Sequence, residues 1–319
     1  MAQSTLIQRV QSTMKSPDTE GRFELYVTRT PGYLWAVLFR RLGVHPIAVT
    51  LASIALGVAA AVFFGFDTLG MNLIGMLLLV WANWYDCADG QLARMTGKKT
   101  LLGRILDGFA GDVWFFFIYL FISIRLHDRP VPFLPGHPVW GPWIYIICTL
   151  VGVFCHAVQC QMADYYRNVH LYFQPGVPAE LDRSDSVRRQ YESLRWMSGD
   201  WFSKLYLFFY VAYTRAQEKR SPRFQQFFAL VQQRWPGGDM PLELRERFRQ
   251  GSRPLMPLTN ILTFDTRVIV LFLSLLIGEP WLYVAFELVV LQPLLYYMMA
   301  RHEALCQEMT RWIETNAKA

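Results

Sequence analysis

Charge is scarce in this 319-residue chain. Only 18% of its residues are Asp, Glu, Lys or Arg, whereas 53% are hydrophobic and 15% aromatic. Mean hydropathy is +0.20. Soluble domains carry about a quarter charged residues. The apolar excess is gathered into long runs here, which excludes a disordered or purely soluble protein. Gly (21) and Pro (17) stand at ordinary levels, and no internal repeat recurs at a fixed period. Collagen-like, low-complexity and solenoid readings therefore fall away. Cysteine is also sparse. Cys87, Cys148, Cys155, Cys160 and Cys306 are odd in number, scattered through apolar runs and without a CxxC pair. Neither a disulfide framework nor a zinc site is supported, and inert thiols are expected. Strand alternation is missing as well, against a β-barrel. The first 26 residues have no apolar h-region and no small-residue cleavage site, so the first span is expected to act as its own insertion signal.

What is present is a series of apolar runs separated by charge. Six spans are expected, at about 45–66, 70–88, 104–125, 139–163, 262–278 and 281–300. The last two are joined at Gly278-Glu279-Pro280. Each must be helical, because lipid offers the backbone no hydrogen-bond partner. Pro31 to Phe39 reads as a short interfacial helix before span one, with Tyr33 and Trp35 at headgroup level. The chain thus divides into an interfacial segment (1–43), spans one to four (44–163), an insertion with amphipathic helices (164–261), spans five and six (262–304) and a tail (305–319).

Lys and Arg orient this bundle. Six precede span one, four lie at the 2–3 link (Arg94, Lys98, Lys99, Arg104), fifteen lie in 164–261 and three follow span six. The opposite side has only Arg125 and Arg129. The positive-inside rule then places both termini in the cytosol. The net charge of +6 is accounted for by topology and attraction to anionic lipid rather than by nucleic acid. Residues 198–213 are apolar but contain Lys204. They are short for a span, and a helix in or under the cytosolic interface is expected, a seventh span being the alternative.

The end of span two and the start of span three carry acids. Asp86, Asp89, Asp107 and Asp112 sit where apolar helices meet polar chain, and carboxylates at that depth point to function. Asp86 and Asp89 are three apart and share a helical face. Gly90 and Ala93 leave room for a ligand, Arg94 suits phosphate oxygens, and Gly103 permits close packing. Facing carboxylates need a cation among them. An all-oxygen set favours Mg²⁺, Mn²⁺ or Ca²⁺ over zinc, and such a centre suits transfer at a diphosphate. The plain structural alternative is helix capping and pairing with Lys98, Lys99 and Arg104.

The run Asp86-Cys-Ala-Asp89-Gly90-Gln-Leu-Ala93-Arg94, eight residues, then Gly103-Arg-Ile-Leu-Asp107 resembles the signature of the CDP-alcohol phosphotransferases, D-x2-D-G-x2-A-R-x8-G-x3-D-x3-D. Seven of its eight fixed positions match. Pro46-Ile-Ala-Val49-Thr50 is similar to that family's entry to its first span, and the six-span layout to its core. The resemblance implies an all-α integral membrane transferase. In it, an alcohol oxygen attacks the phosphate of a CDP-linked substrate and CMP leaves. It implies Asp86, Asp89, Asp107 and Asp112 as ligands of Mg²⁺ or Mn²⁺, two ions being expected. Gly90, Ala93, Arg94 and Gly103 would form the CDP site, with Asp107 and Asp112 catalytic. It also implies a homodimer as a further option, and a CDP-linked lipid and a polar alcohol in the bilayer as partners. A chain of this size is similar to prokaryotic phospholipid-headgroup enzymes, so CDP-diacylglycerol is expected as donor, in a bacterial inner membrane with the site facing the cytosol. The reverse arrangement, a CDP-amino-alcohol with a lipid acceptor, and a catalytically silent lipid-binding homologue stay open.

One position departs from the pattern. The fourth acid belongs at 111, which is Gly, and Asp112 comes one residue late. A π-bulge between Gly108 and Gly111 would return Asp112 to the metal face; a regular helix would turn it about 140° away from Asp107. His156, Asp164 and Arg167, with Arg267 of span five, form a candidate acceptor pocket. A polar helix seam is the competing reading, and for Arg267 snorkelling to headgroups is favoured. His302 and Glu303 are expected at a solvated helix end.

Overall fold

A computed structural model describes residues 6–11, 16, 18, 19, 21, 23–98, 100–132, 134–176, 181–196, 201–236 and 238–316, without the side chains of residues 8, 9, 11, 101, 104 and 105. Lys99 and the Arg104 side chain, counted above for topology and pairing, lie outside this description, as do residues 198–200 of the apolar run and the last three of the tail. Helix accounts for 82% of the described residues. Among the described residues the only extended pairing is one isolated bridge, Pro130 to Val139.

Fifteen α-helices follow one another in the described residues. The first unit of the fold is built from α1 (Leu6–Gln11), α2 (Thr30–Arg41), α3 (Pro46–Phe64), α4 (Leu69–Thr96), α5 (Leu101–Leu126), α6 (Trp143–Leu150), α13 (Phe264–Ile277) and α14 (Trp281–Phe286). The second contains α7 (Ala157–Phe173), α8 (Ser184–Ser193), α9 (Trp201–Arg220), α10 (Pro222–Arg234), α11 (Leu242–Ser252), α12 (Met256–Ile261) and α15 (Gln292–Asn316). Three π-helical turns interrupt the α geometry: Glu24–Arg29 before α2, Val151–His156 after α6 and Glu287–Leu291 after α14.

Five helical runs are long and apolar enough to cross a membrane: Pro46–Phe64, Leu106–Leu126, Trp143–Phe173, Leu242–Ile277 and Trp281–Asn316. They contain or overlap five of the six expected spans. The expected second span falls within α4, whose 28 residues extend roughly 42 Å. Asn72, Asn83 and Asp86 lower its apolar character. α9 is not among the five. The tight connection at Gly278 is as expected, with φ +84 there between α13 and α14; glycine adopts that left-handed conformation without steric cost.

In the first unit, small residues set the distance between helices. A β-carbon on Gly57 of α3 would lie 2.1 Å from the Trp114 indole of α5. One on Gly75 of α4 would lie 2.6 Å from the Phe64 ring. Trp114 Nε1 donates to the Ser53 carbonyl at 3.1 Å, so the indole is both packed and satisfied. At the other end Asp67 pairs with Arg125 at 2.7 Å and with Arg129. Arg129 also donates to Gly278 O at 2.9 Å, and Arg125 to Phe64 O and Asn72 Oδ1, each at 3.1 Å. This latch joins the α3–α4 turn, the end of α5 and the α13–α14 turn.

The second unit has a phenylalanine core: Phe173, Phe224, Phe227, Phe228 and Phe248 are all buried. His302 belongs to this core and not to a solvated helix end. It is 1% exposed and its ring stacks on Tyr166 at 4.0 Å. Glu303 is half-buried, because it accepts the N–H groups of Arg223 and Phe224 at the start of α10. Those orphan donors, and not water, set its place.

Candidate metal centre and active site

α4 ends at Gly97, whose φ of +69 supplies a left-handed C-cap. The chain restarts at Thr100, whose hydroxyl accepts the Gly103 N–H at 3.0 Å and caps α5. This short turn allows the first turns of α5 to face the end of α4. Asp86 and Asp89 of α4 and Asp107 of α5 then converge, each offering an oxygen within 4.8 Å of the others. Asp89 is buried, Asp86 half-buried and Asp107 exposed.

The donor set fits a hard divalent cation. Oδ1 of Asp86 and Oδ1 of Asp89 are buried without a hydrogen-bond partner. Unpaired buried oxygens are costly, and three mutually repelling carboxylates are relieved by a cation among them. The other oxygen of Asp89 is held: Thr50 Oγ1, on α3, donates to Oδ2. Thr50 and Asp89 are 2% and 3% exposed, so this bond is dry and fixes the carboxylate's rotamer.

The expected CDP-binding residues line the same stretch. Arg94 is exposed, and its guanidinium lies 3.7–3.8 Å from where a Gly90 β-carbon would stand. Glycine therefore leaves a face open beside both the carboxylates and a fixed cation. Ala93 is half-buried, and Gly103 sits at the start of α5 in contact with its own cap.

Sequence reasoning did not foresee the segment before α2. Trp84 Nε1 donates to Val27 O at 2.9 Å and Gln91 Nε2 to Arg29 O at 3.2 Å. A β-carbon on Gly32 would lie 2.7 Å from Cys87 Cβ. The π turn is thus stitched against the motif, and Arg29, paired with Glu24 at 3.0 Å, acts electrostatically on Asp86. No spacing rule announces an arginine 57 residues upstream. Trp35 of α2 also packs on α4, against Trp81 and Tyr85.

The expected bulge in α5 is absent. The helix is α throughout Leu101–Leu126, and Asp112 is not part of the three-carboxylate group. The reason is the register: five residues turn a regular helix 500°, about 140° away from Asp107. Gly108 and Gly111 permit a bulge but do not impose one. Asp112 instead shares a face with Phe115 and Tyr119, whose rings lie 4.3 and 5.8 Å from that of His156, and it interacts electrostatically with His156.

The four acceptor-pocket candidates are divided between the two units, two in each. His156 and Arg267 meet in the first unit, Nδ1 to Nη1 at 2.8 Å. Arg267 is fully buried and paired with Glu287, also fully buried. This corrects the snorkelling expectation, because Glu287 supplies inside the protein the counter-charge that headgroups would supply outside. Tyr283 donates to Glu287 at 2.8 Å, and its hydroxyl lies 3.3 Å from that of Tyr119. The cluster is a buried brace of mutually bonded side chains. Its missed member, Glu287, was visible as a lone acid inside the run AFELVV. Asp164 and Arg167 lie in the second unit, where Asp164 accepts from Asn168 at 3.0 Å and Arg167 donates to Asn260 at 2.9 Å.

One of three comparisons with known proteins gave a match. Curated proteins and solved structures each gave no match. The family model described as CDP-alcohol phosphatidyltransferase matches residues 43–171, which include Thr50, the three converging carboxylates, Arg94 and Asp112. Over that segment the chain is similar to the CDP-alcohol phosphatidyltransferase family.

Proposed function

We propose that the protein transfers a phosphatidyl group from CDP-diacylglycerol to a small polar alcohol, releasing CMP. The observation that carries this reading is the convergence of Asp86, Asp89 and Asp107, with two unpartnered buried oxygens, inside the family-matched segment. These three would hold Mg²⁺ or Mn²⁺, which when bound supplies charge neutralisation along the diphosphate. Arg94, over the open face of Gly90, binds the diphosphate oxygens. Gly90 and Ala93 let the nucleotide approach the backbone of α4. The acceptor oxygen forms the new bond to the lipid-linked phosphorus, the bond to the bridging oxygen of CMP breaks, and the hydroxyl proton passes to Asp107, the exposed carboxylate of the three. The brace of Arg267, Glu287 and His156 holds the helices behind α5 and binds no substrate. With α4 counted, six spans would put both termini and the site on the cytosolic side of a bacterial inner membrane.

The test is CMP release by purified protein with Mg²⁺. CDP-diacylglycerol is offered with a panel of alcohols, and CDP-choline or CDP-ethanolamine with lipid alcohols. Release from CDP-diacylglycerol with one alcohol, lost in Asp107→Asn and retained in Asp112→Asn, is expected. Release only from the CDP-amino-alcohols would reverse the donor and acceptor. No release from any pair would leave a lipid-binding homologue.

A further inference from the structure

α9 carries an apolar face that is exposed among the described residues. Trp201, Phe202, Leu205, Phe208 and Phe209 are all exposed, with Phe209 at 62%. Their spacing of 0, 1, 4, 7 and 8 places them on one stripe. The same stripe continues through exposed Ala212, Arg215 and Lys219. The opposite face is fixed to protein. Leu207, Thr214 and Gln217 are buried; Gln217 Nε2 donates to Gln161 O at 3.0 Å and Gln161 Nε2 to Tyr213 O at 2.9 Å, between α9 and α7. Lys204, the charge that seemed to spoil the apolar run, is turned aside. Its ammonium donates to Leu194 O and sits over the Tyr191 and Trp196 rings at 4.7 and 5.6 Å.

We infer that the α8–α9 hairpin lies in the plane of an anionic lipid leaflet, with the aromatic stripe at the headgroup–acyl boundary and the Arg215–Lys219 end on lipid phosphates. Residues 201–213 extend about 20 Å, short of the ~30 Å hydrocarbon core, so they rest in the interface without crossing it. Trp and Phe on such a face suit the boundary. Charge complementarity selects the anionic leaflet. Besides the stripe, a groove of about 430 Å³ between α8 and α9 is lined by Tyr191, Phe208 and Val211 together with Arg188, Glu192 and Arg215. Arg188 is paired with Glu192 at 2.8 Å, so Arg215, beside the apolar lining, is the cation that meets the phosphate of a phospholipid whose upper acyl chain enters the groove.

The test uses the full chain in nanodiscs with the photo-crosslinker benzoylphenylalanine at position 209, and at exposed Glu246 of α11 as control. Irradiation at 209 is expected to add the mass of one phospholipid, more in discs containing phosphatidylglycerol than in phosphatidylcholine alone. Combining it with Arg215→Glu and Lys219→Glu should cut the yield in anionic discs by at least about fivefold, since each cation at such a surface contributes about that factor. An adduct with a second copy of the chain, or a lipid yield no greater than at 246, overturns the inference. So does a lipid yield indifferent to phosphatidylglycerol and to the charge reversal. Variants are compared only where they elute as wild type on gel filtration.

Discussion

The Thr50–Asp89 hydrogen bond offers a direct measure of the metal centre. Thr50→Val keeps the β-branch and the volume in α3 but removes the hydroxyl that donates to Asp89 Oδ2. Both residues are nearly fully buried, so water has little access to replace the donor. A hydrogen bond to a charged group contributes about 1.5–3 kcal/mol net. Loss of an outer-shell partner of a metal ligand typically lowers metal affinity by about 10–100-fold, which corresponds to about 1.4–2.7 kcal/mol. The two ranges agree, and Mn²⁺ affinity, read by the loss of the free-ion paramagnetic resonance signal on titration, should fall within them. Thr50→Ser keeps the donor and should stay within about threefold of wild type. In the CMP-release assay, the valine variant should need 10–100-fold more metal for half-maximal rate while reaching a similar maximum. Wild-type Mn²⁺ affinity in Thr50→Val would refute the reasoning, as would an equal loss in valine and serine.

Two further perturbations probe the surroundings of that centre. Arg29→Gln removes a cation that acts on Asp86 and should raise Mn²⁺ affinity several-fold in the absence of substrate; a merely structural Arg29 would give weaker binding on the same titration. Glu287→Gln leaves Arg267 buried without its counter-charge and should cost about 3–5 kcal/mol, whereas Arg267→Met with Glu287→Leu should recover most of it. Thermal stability in detergent distinguishes that pattern from simple additivity.

The end of α4 and the start of α5 were legible because the information is local. Asp86 and Asp89 share a face by spacing alone, and Gly97 and Thr100 bring α5 back within a few residues. The tight turn at Gly278 was legible for the same reason. The rest depends on which helix packs on which. Arg29 and Thr50 reach the carboxylates from other helices, and nothing in their own neighbourhoods announces it, although Thr50 stands in a recognisable stretch. Arg267 was read as a snorkelling residue because its partner lies 20 residues on, in another helix. Once Glu287 is placed opposite, two charges that would each be expensive in lipid become a pair. His302 was misjudged by the same logic: its position near a helix end suggested water, but Tyr166 and the phenylalanine core cover it.

The regular course of α5 has a consequence at position 111. In an unbulged helix the residue four after Asp107 lies about 40° from it, on the carboxylate side, whereas Asp112 lies about 140° away. Deleting Gly111 would restore the family spacing, but it would also rotate every later residue by about 100°. Trp114 would leave Ser53 and Gly57, and Phe115 and Tyr119 would leave His156; that variant should lose the fold of the first unit. Gly111→Asp changes no register. A β-carbon at 111 meets nothing within 4 Å, and glycine is a poorer helix former than aspartate. The substitution should therefore be tolerated, and it adds a fourth carboxylate on the Asp107 side. Mn²⁺ binding should tighten or gain a second ion per chain, with thermal stability in the presence of Mn²⁺ rising accordingly. If α5 instead bulges in solution so that Asp112 already reaches the triad, Gly111→Asp adds an acid to a complete set. Mn²⁺ stoichiometry would then stay unchanged, and Asp112→Asn alone would weaken Mn²⁺ binding as much as Asp107→Asn does. With a regular helix, Asp112→Asn leaves both CMP release and Mn²⁺ affinity near wild type.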